Sequence, residues 1–161
     1  MGNIESKFKD FLKVAKILND KNIVPVLYGS LGLYQIIKPL SEIDDIDMLV
    51  SDEWLKDRWP EFKAYLESHG FRMDDEHEHE FSHPDIKGWI AFASIQESHI
   101  HSGLNRDDLQ EVVHDGVNYL VLTPEQYLRA YRACLKDSYR QSKKGDADLI
   151  KIKALEEYMA R

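Results

Sequence analysis

Apolar residues at Ile4, Phe8, Phe11, Leu12, Ala15 and Leu18 return at steps of three and four, which predicts an amphipathic helix at the start of the chain. The run Ile23-Val24-Pro25-Val26-Leu27-Tyr28 then reads as a buried strand, ended by the turn pair Gly29-Ser30. Leu31 to Ile37 fits two turns of helix before Lys38-Pro39, because proline disfavours helix at the residue before it. Asp45-Ile46-Asp47-Met48-Leu49-Val50 alternates polar and apolar at its start and is continuously apolar at its end, the pattern of a strand with one tip in solvent. Ser51 is placed to cap a helix reaching about residue 68, with Trp54, Leu55, Trp59, Phe62, Tyr65 and Leu66 on its apolar stripe and Pro60 as a point of kinking or division. Phe71 to Ser82 and Trp89 to Ile95 read as two strands around a turn holding Pro84, Asp85 and Gly88. Residues 98 to 117 are polar and fit a loop. Asn118 to Leu122 is a last strand, Thr123-Pro124-Glu125-Gln126 has the chemistry of a helix start, and a final helix is expected over roughly 146 to 160.

Strands and helices in this order predict an α/β (α+β) chain: a mixed β-sheet with flanking helices. At 161 residues it fits a single domain over 1–161, with 123–161 as a C-terminal helical portion. Composition narrows the partners. Twenty-one Lys and Arg against 29 Asp and Glu leave a net charge of −8, which disfavours a nucleic-acid partner. Cys134 is the only cysteine, so neither an intrachain disulfide framework nor a Cys-rich zinc site is available. No apolar run approaches the roughly 20 residues that span a bilayer, and Glu5, Lys7, Lys9 and Asp10 interrupt any export-signal pattern near the start. A cytoplasmic chain with no membrane partner is the expectation.

The chemistry gathers at two places. Glycine at Gly29 permits close backbone approach, and Ser30 adds a hydroxyl donor suited to phosphate, although Gly-Ser alone is a common turn. Asp45 and Asp47, one residue apart on a strand, point to the same face while Asp44 and Ile46 point to the other. Two neighbouring carboxylates repel unless a cation compensates, and Mg2+ (or Mn2+) commonly joins one or two carboxylates to substrate phosphates. A solvated strand end is the bland reading of the same pair.

Taken together, Gly29-Ser30, a helix and Asp45-Ile46-Asp47 resemble the core of the DNA polymerase β-like nucleotidyltransferase superfamily. In length, element order and the segment Asp148 to Leu155 the chain is similar to the small lincosamide- and aminoglycoside-type members. The resemblance implies a nucleotidyltransferase-like fold that holds a nucleoside triphosphate such as ATP, with Gly29 and Ser30 on its phosphates and Asp45 and Asp47 on the metal. It also implies nucleotide contacts from Lys143 and Lys144, since a basic position precedes the terminal helix in such proteins. Two departures stand out. Aligning Gly88-Trp89-Ile90 with the family pattern puts Ala91 where a third acid is usual, with Glu80 as the preferred substitute and Glu78 behind it. Lys151 stands where a second acid is frequent in the terminal helix.

Two readings therefore stay open: transfer of a nucleoside monophosphate from an NTP to an unidentified acceptor, or a noncatalytic nucleotide-binding or protein-interaction module. The remaining polar clusters point elsewhere. His77, His79, His83, His99 and His101 lack a diagnostic zinc-ligand pattern and read as surface or loop residues. Arg129, Arg132, Lys136 and Arg140 read mainly as a solvated helix face, Tyr127, Tyr131 and Tyr139 as packing residues, and Cys134 as a packing thiol.

Overall fold

The computed structural model describes residues 2–97, 104–134 and 138–161; the side chains of 138–147 lie outside that description. Helix α1 (Gly2–Asn19) leads into strand β1 (Val26–Tyr28), the short helix α2 (Gly29–Leu33) and strand β2 (Ile46–Val50). Helices α3 (Asp52–Leu55) and α4 (Trp59–Ser68) precede strands β3 (Arg72–Asp75), β4 (Glu80–His83) and β5 (Ile86–Ser94). A hairpin of β6 (Gln110–His114) and β7 (Val117–Val121) follows, then helices α5 (Pro124–Cys134) and α6 (Ser138–Met159). The strands form one mixed sheet in the order β3-β4-β5-β2-β1-β7-β6. In it β2 runs parallel to β5 and β1 parallel to β7, while the other neighbours are antiparallel. The mixed sheet with flanking helices is the architecture expected from the sequence.

Alternation decides which residues reach which face. Ile46 and Met48 of β2, Phe81 of β4, and Ile90 and Phe92 of β5 turn to one side and are buried. Phe62 of α4 meets Phe92 edge-on at 5.1 Å, and Phe11 of α1 meets Tyr119 of β7 at 5.1 Å, so α1 and α4 close this side. Edge-to-face aromatic pairs add about 0.5–1.5 kcal/mol each beyond the area they bury. On the other side, α5 packs over β1, α6 packs against α5, and Lys151 of α6 reaches Ser30. There Tyr28, Tyr127 and Tyr131 stack in series at 6.1 and 6.2 Å.

Several elements differ from the sequence expectation, each for a local reason. The first strand starts at Val26, because Pro25 has no N–H to give to a ladder. Helix α2 starts at Gly29, so the expected turn pair Gly29-Ser30 forms the bend into its first residues, and it ends at Leu33, four residues early, after which the chain continues in turns. The helix expected over 51–68 is divided, with Pro60 in the first turn of α4, where its missing N–H costs nothing. Ser51 makes no capping hydrogen bond; the N–H of Asp52 instead donates to Gln96 Oε1 at 2.7 Å. The expected strand 71–82 is two strands, because His79 takes a positive φ of 50° and turns the chain back. The strand expected over 89–95 spans 86–94. Within 98–117, residues 104–117 hold a 3-10 turn and strand β6, and β7 begins at Val117; residues 98–103 lie outside the described residues. The last helix begins at Ser138, eight residues before its expected start. The start at Thr123 does form a reciprocal cap: Thr123 N–H donates to Gln126 Oε1 at 2.8 Å, and Gln126 N–H donates to Thr123 Oγ1 at 3.2 Å.

Candidate active site

The centre of the site is a row across four strands. Tyr28 of β1 sits opposite Asp47 of β2, Asp47 opposite Ala91 of β5, and Ala91 opposite Glu80 of β4. Directly paired residues project to the same face, so Glu80 and Asp47 share a face with only the methyl of Ala91 between their strands. Two inter-strand steps put their Cα atoms roughly 10 Å apart, a gap the longer Glu side chain narrows. Asp45 lies one residue before β2 rather than within it, and it is exposed. The carboxyl of Glu80 is held above its ordinary value, first by burial and then by the negative charges of Asp45, Asp75, Glu78 and Asp74. A carboxylate raised in this way is a better proton acceptor than a solvated one.

Gly29 follows β1 directly and adopts a φ of +65°, a conformation that costs glycine nothing. A methyl group built there would overlap Asp47 Oδ2, so the missing side chain is what lets the carboxylate stand against the turn. Ser30 beside it accepts a hydrogen bond from Lys151 Nζ at 2.8 Å. The same ammonium lies 5.4 Å from the ring centroid of Tyr131. Gly29, Ser30, Asp47, Ala91, Tyr131 and Lys151 line a cleft of about 260 Å³, with Cys134 and Glu78 also at its wall. A second hollow of about 550 Å³, lined by Glu76, His77 and His79 among others, shares Glu78, Phe92 and Ala93 with the first.

The segment that delivers Asp45 is tied from behind by α1. Asn3 exchanges two hydrogen bonds with the backbone of Ile43, at 2.9 and 3.2 Å. The buried ammonium of Lys7 donates to the carbonyl of Asp44 at 2.6 Å and also to that of Lys87. Burial pushes the Lys7 pKa down, against the pull of Asp10, Asp45 and Asp44.

The other expected residues fall as follows. Lys143 and Lys144 lie in α6 with side chains outside the described residues, as do Tyr139 and Arg140, and Lys136 is outside altogether. Arg132 is paired with Glu156 at 2.8 Å, which joins α5 to α6. Tyr127 and Tyr131 are buried, and burial first, with nearby phenols and Asp47, raises both well above the ordinary tyrosine value. His79 packs against Trp59 at 4.6 Å, and His83 Nε2 lies 3.0 Å from the carbonyl of His69; His99 and His101 are outside the described residues. The residue that sequence reasoning missed is Lys151, read only as a departure from a usual acid. Its signal was present: Asp148, Lys151, Ile152 and Leu155 follow helical spacing, and Asp148, Ile152 and Leu155 are all buried.

A divalent cation fits this donor set. Among the described residues no three His, Cys, Asp or Glu side chains gather to hold a metal by themselves. Mg2+, however, characteristically takes one or two carboxylates and completes its shell with water and substrate phosphate. Asp47 supplies a hard oxygen beside a turn kept open by the absent Gly29 side chain, and Asp45, exposed just before β2, would be the second carboxylate.

The fold defines a class: the chain has the nucleotidyltransferase-like fold. It matches a crystal structure of an antigenic nucleotidyltransferase-like protein from Paracoccidioides brasiliensis with a TM-score of 0.65 at 15% identity, over 94% of this chain and 75% of that one. It also matches the lincosamide antibiotic adenylyltransferase LnuA, solved with lincomycin bound, with a TM-score of 0.56 at 16% identity, over 92% and 95% of the two chains. ANT(2")-Ia, solved in complex with adenylyl-2"-tobramycin, gives a TM-score of 0.58 at 13% identity, over 94% and 87%. By sequence the chain belongs to the family of the uncharacterized protein YnaI of Bacillus subtilis (strain 168), with 34% identity over 149 residues that cover 92% of this chain and 94% of YnaI. No protein-family model matches it.

Proposed function

We propose that this chain is a metal-dependent nucleotidyltransferase that moves a nucleoside monophosphate from an NTP to a hydroxyl or phosphate acceptor. The observation that carries the reading is the row Glu80–Ala91–Asp47–Tyr28, which ends at the Gly29–Ser30 turn with Lys151 over it. Lys151 and Ser30 receive the triphosphate, and Asp45 and Asp47 hold Mg2+ or Mn2+. Bound there, the metal neutralises phosphate charge. With a hydroxyl acceptor, the oxygen attacks the α-phosphorus, the bond to the bridging oxygen breaks, and pyrophosphate leaves. Glu80 takes the hydroxyl proton, the role its raised pKa and its place beside Ala91 suit. ATP is the first nucleotide to test, because the likeness includes an adenylyltransferase and a protein solved with an adenylylated product. Lys143 and Lys144 remain part of the proposed nucleotide contacts, on the resemblance alone. The reading also takes residues 1–161 as one cytoplasmic domain without a membrane partner. Among the described residues no helix is long and apolar enough to cross a membrane.

Ala91 favours a second reading. With a methyl at the centre of the acidic row, the fold could bind nucleotide without transfer. Purified protein with Mg2+, α-labelled NTPs and a panel of hydroxylated acceptors separates the two. Label transfer that disappears in Asp45→Ala, Asp47→Ala and Glu80→Gln supports the enzyme, and binding with no transfer supports the module.

A further inference from the structure

Asp47 owes its place to the sheet, and Asp45 does not. The parallel ladder of β2 with β5 begins at Ile46 opposite Ile90, so Asp47, opposite both Tyr28 and Ala91, is held from two sides. Asp45 precedes the first pair, at the end of a stretch, residues 42–45, that belongs to no helix or strand. The ladder stops there for a local reason. Gly88 of β5 takes a φ of +86°, and a methyl group built on it would overlap the carbonyl oxygen of Asp44, so the two backbones stand directly against each other instead of pairing.

Helix α1 supplies what the ladder lacks. The Lys7 ammonium, on a residue only 5% exposed, donates to the Asp44 carbonyl at 2.6 Å and to the Lys87 carbonyl, which joins three parts of the chain at one point. Asn3, one helical turn earlier on the same face, donates to the Ile43 carbonyl at 3.2 Å and accepts from the Ile43 N–H at 2.9 Å. Among the described residues the Lys7 ammonium spends its charge on carbonyls and has no carboxylate at ion-pair distance. Burying an ammonium without a counter-ion costs free energy that an apolar side chain of the same length does not. Lysine is therefore a poor choice for packing alone and a suitable one for drawing two backbone oxygens together.

We infer that Lys7 is a positioning residue for the proposed metal site: by fixing the Asp44 carbonyl it sets the direction of the Asp45 carboxylate, with Asn3 as the second tie. The inference rests on the reading of Asp45 and Asp47 as the carboxylates of the metal and adds the residue that brings the first of them to bear. Removing a group that orients a metal ligand from behind typically lowers metal affinity by about 10–100-fold. Charge alone gives the opposite sign. Lys7 and Asp45 are close enough to act on each other as charges, so deleting the ammonium without moving the carboxylate would tighten the binding of a cation.

Mn2+ affinity measured by electron paramagnetic resonance tests this in variants checked for folding by circular dichroism. Lys7→Met, which keeps the unbranched stem, should weaken Mn2+ binding roughly tenfold or more. Asn3→Ala should weaken it in the same direction by less, and it carries the test should Lys7→Met fail to fold. Val14→Ala, at a fully buried position two turns along the same helix, lowers stability by making a cavity and should leave Mn2+ affinity at the wild-type value. Unchanged or tighter Mn2+ binding in the folded Lys7 and Asn3 variants overturns the assignment, and so does an equal loss in Val14→Ala, which would mark a general weakening of the structure. Asp45→Asn separates the two levels of the argument. Wild-type affinity in Asp45→Asn, or a wild type that binds no Mn2+, removes the metal reading itself, whereas a loss in Asp45→Asn with none in Lys7→Met and Asn3→Ala removes the positioning role alone.

Discussion

Gly29 and Lys151 meet at the Ser30 end of the cleft. At Gly29 two demands coincide, a φ of +65° and contact with the Asp47 carboxylate, so any side chain both strains the backbone and displaces the acid. Gly29→Ala should destabilise the fold by about 1–3 kcal/mol in urea unfolding. It should also weaken Mn2+ binding measured by electron paramagnetic resonance, and unchanged Mn2+ affinity in a folded variant would contradict the packing argument. Lys151 brings a charge to Ser30 at 2.8 Å. A hydrogen bond to a charged group contributes about 1.5–3 kcal/mol, so Lys151→Met should weaken NTP binding by roughly tenfold or more in calorimetry on the folded variant. The facing of Asp47 was legible in the sequence because strand alternation is a strict two-residue period, whereas Asp45 lies just before β2, where that period does not fix its direction. Lys151 was not legible, because its importance comes from a contact 121 positions away with Ser30.

Helix α4 is held to the loop after α1 by charge. Glu61 pairs with Lys21 and with Arg58, each at 2.8 Å, and these partners, Arg58 first, pull its carboxyl down to about 2. A carboxyl depressed in the folded state stabilises it above the unfolded value near 4.3, and that contribution is lost as pH falls through about 2. Wild-type protein should therefore be more stable than Glu61→Gln at pH 7, with the difference shrinking below about pH 4.3 and vanishing near pH 2 in denaturant titrations. A difference independent of pH would contradict it. Elements defined by local chemistry were legible: the reciprocal Thr123–Gln126 cap is one. Strand β6 was not, since it lies at the sheet edge with Gln110, Glu111, Val113 and His114 exposed and only Val112 half-buried, so it has little apolar alternation to read. The Asp115-Gly116 turn, with φ of 51° and 80°, was its one available signal.

Across the whole molecule the sheet works as a ruler. Its strand order brings β4 and β5 beside β2, so Glu80, far from Asp47 in sequence, joins the same row, a neighbourhood that element periodicity alone does not give. The fold class was legible because the order of strands and helices limits the topologies, whereas the pairing of Glu80 with Ala91 depends on register. The same arrangement separates charge, with Lys151 over the turn and carboxylates around Glu80. The account's central claim is that Asp45 and Asp47 serve a metal delivered with a nucleoside triphosphate. Isothermal titration of ATP into the wild type and Asp47→Asn, with Mg2+ and with chelator, tests it most directly. The account predicts binding by the wild type that requires Mg2+ and is lost in folded Asp47→Asn. Binding of equal strength without the metal, or undiminished in the variant, would contradict it.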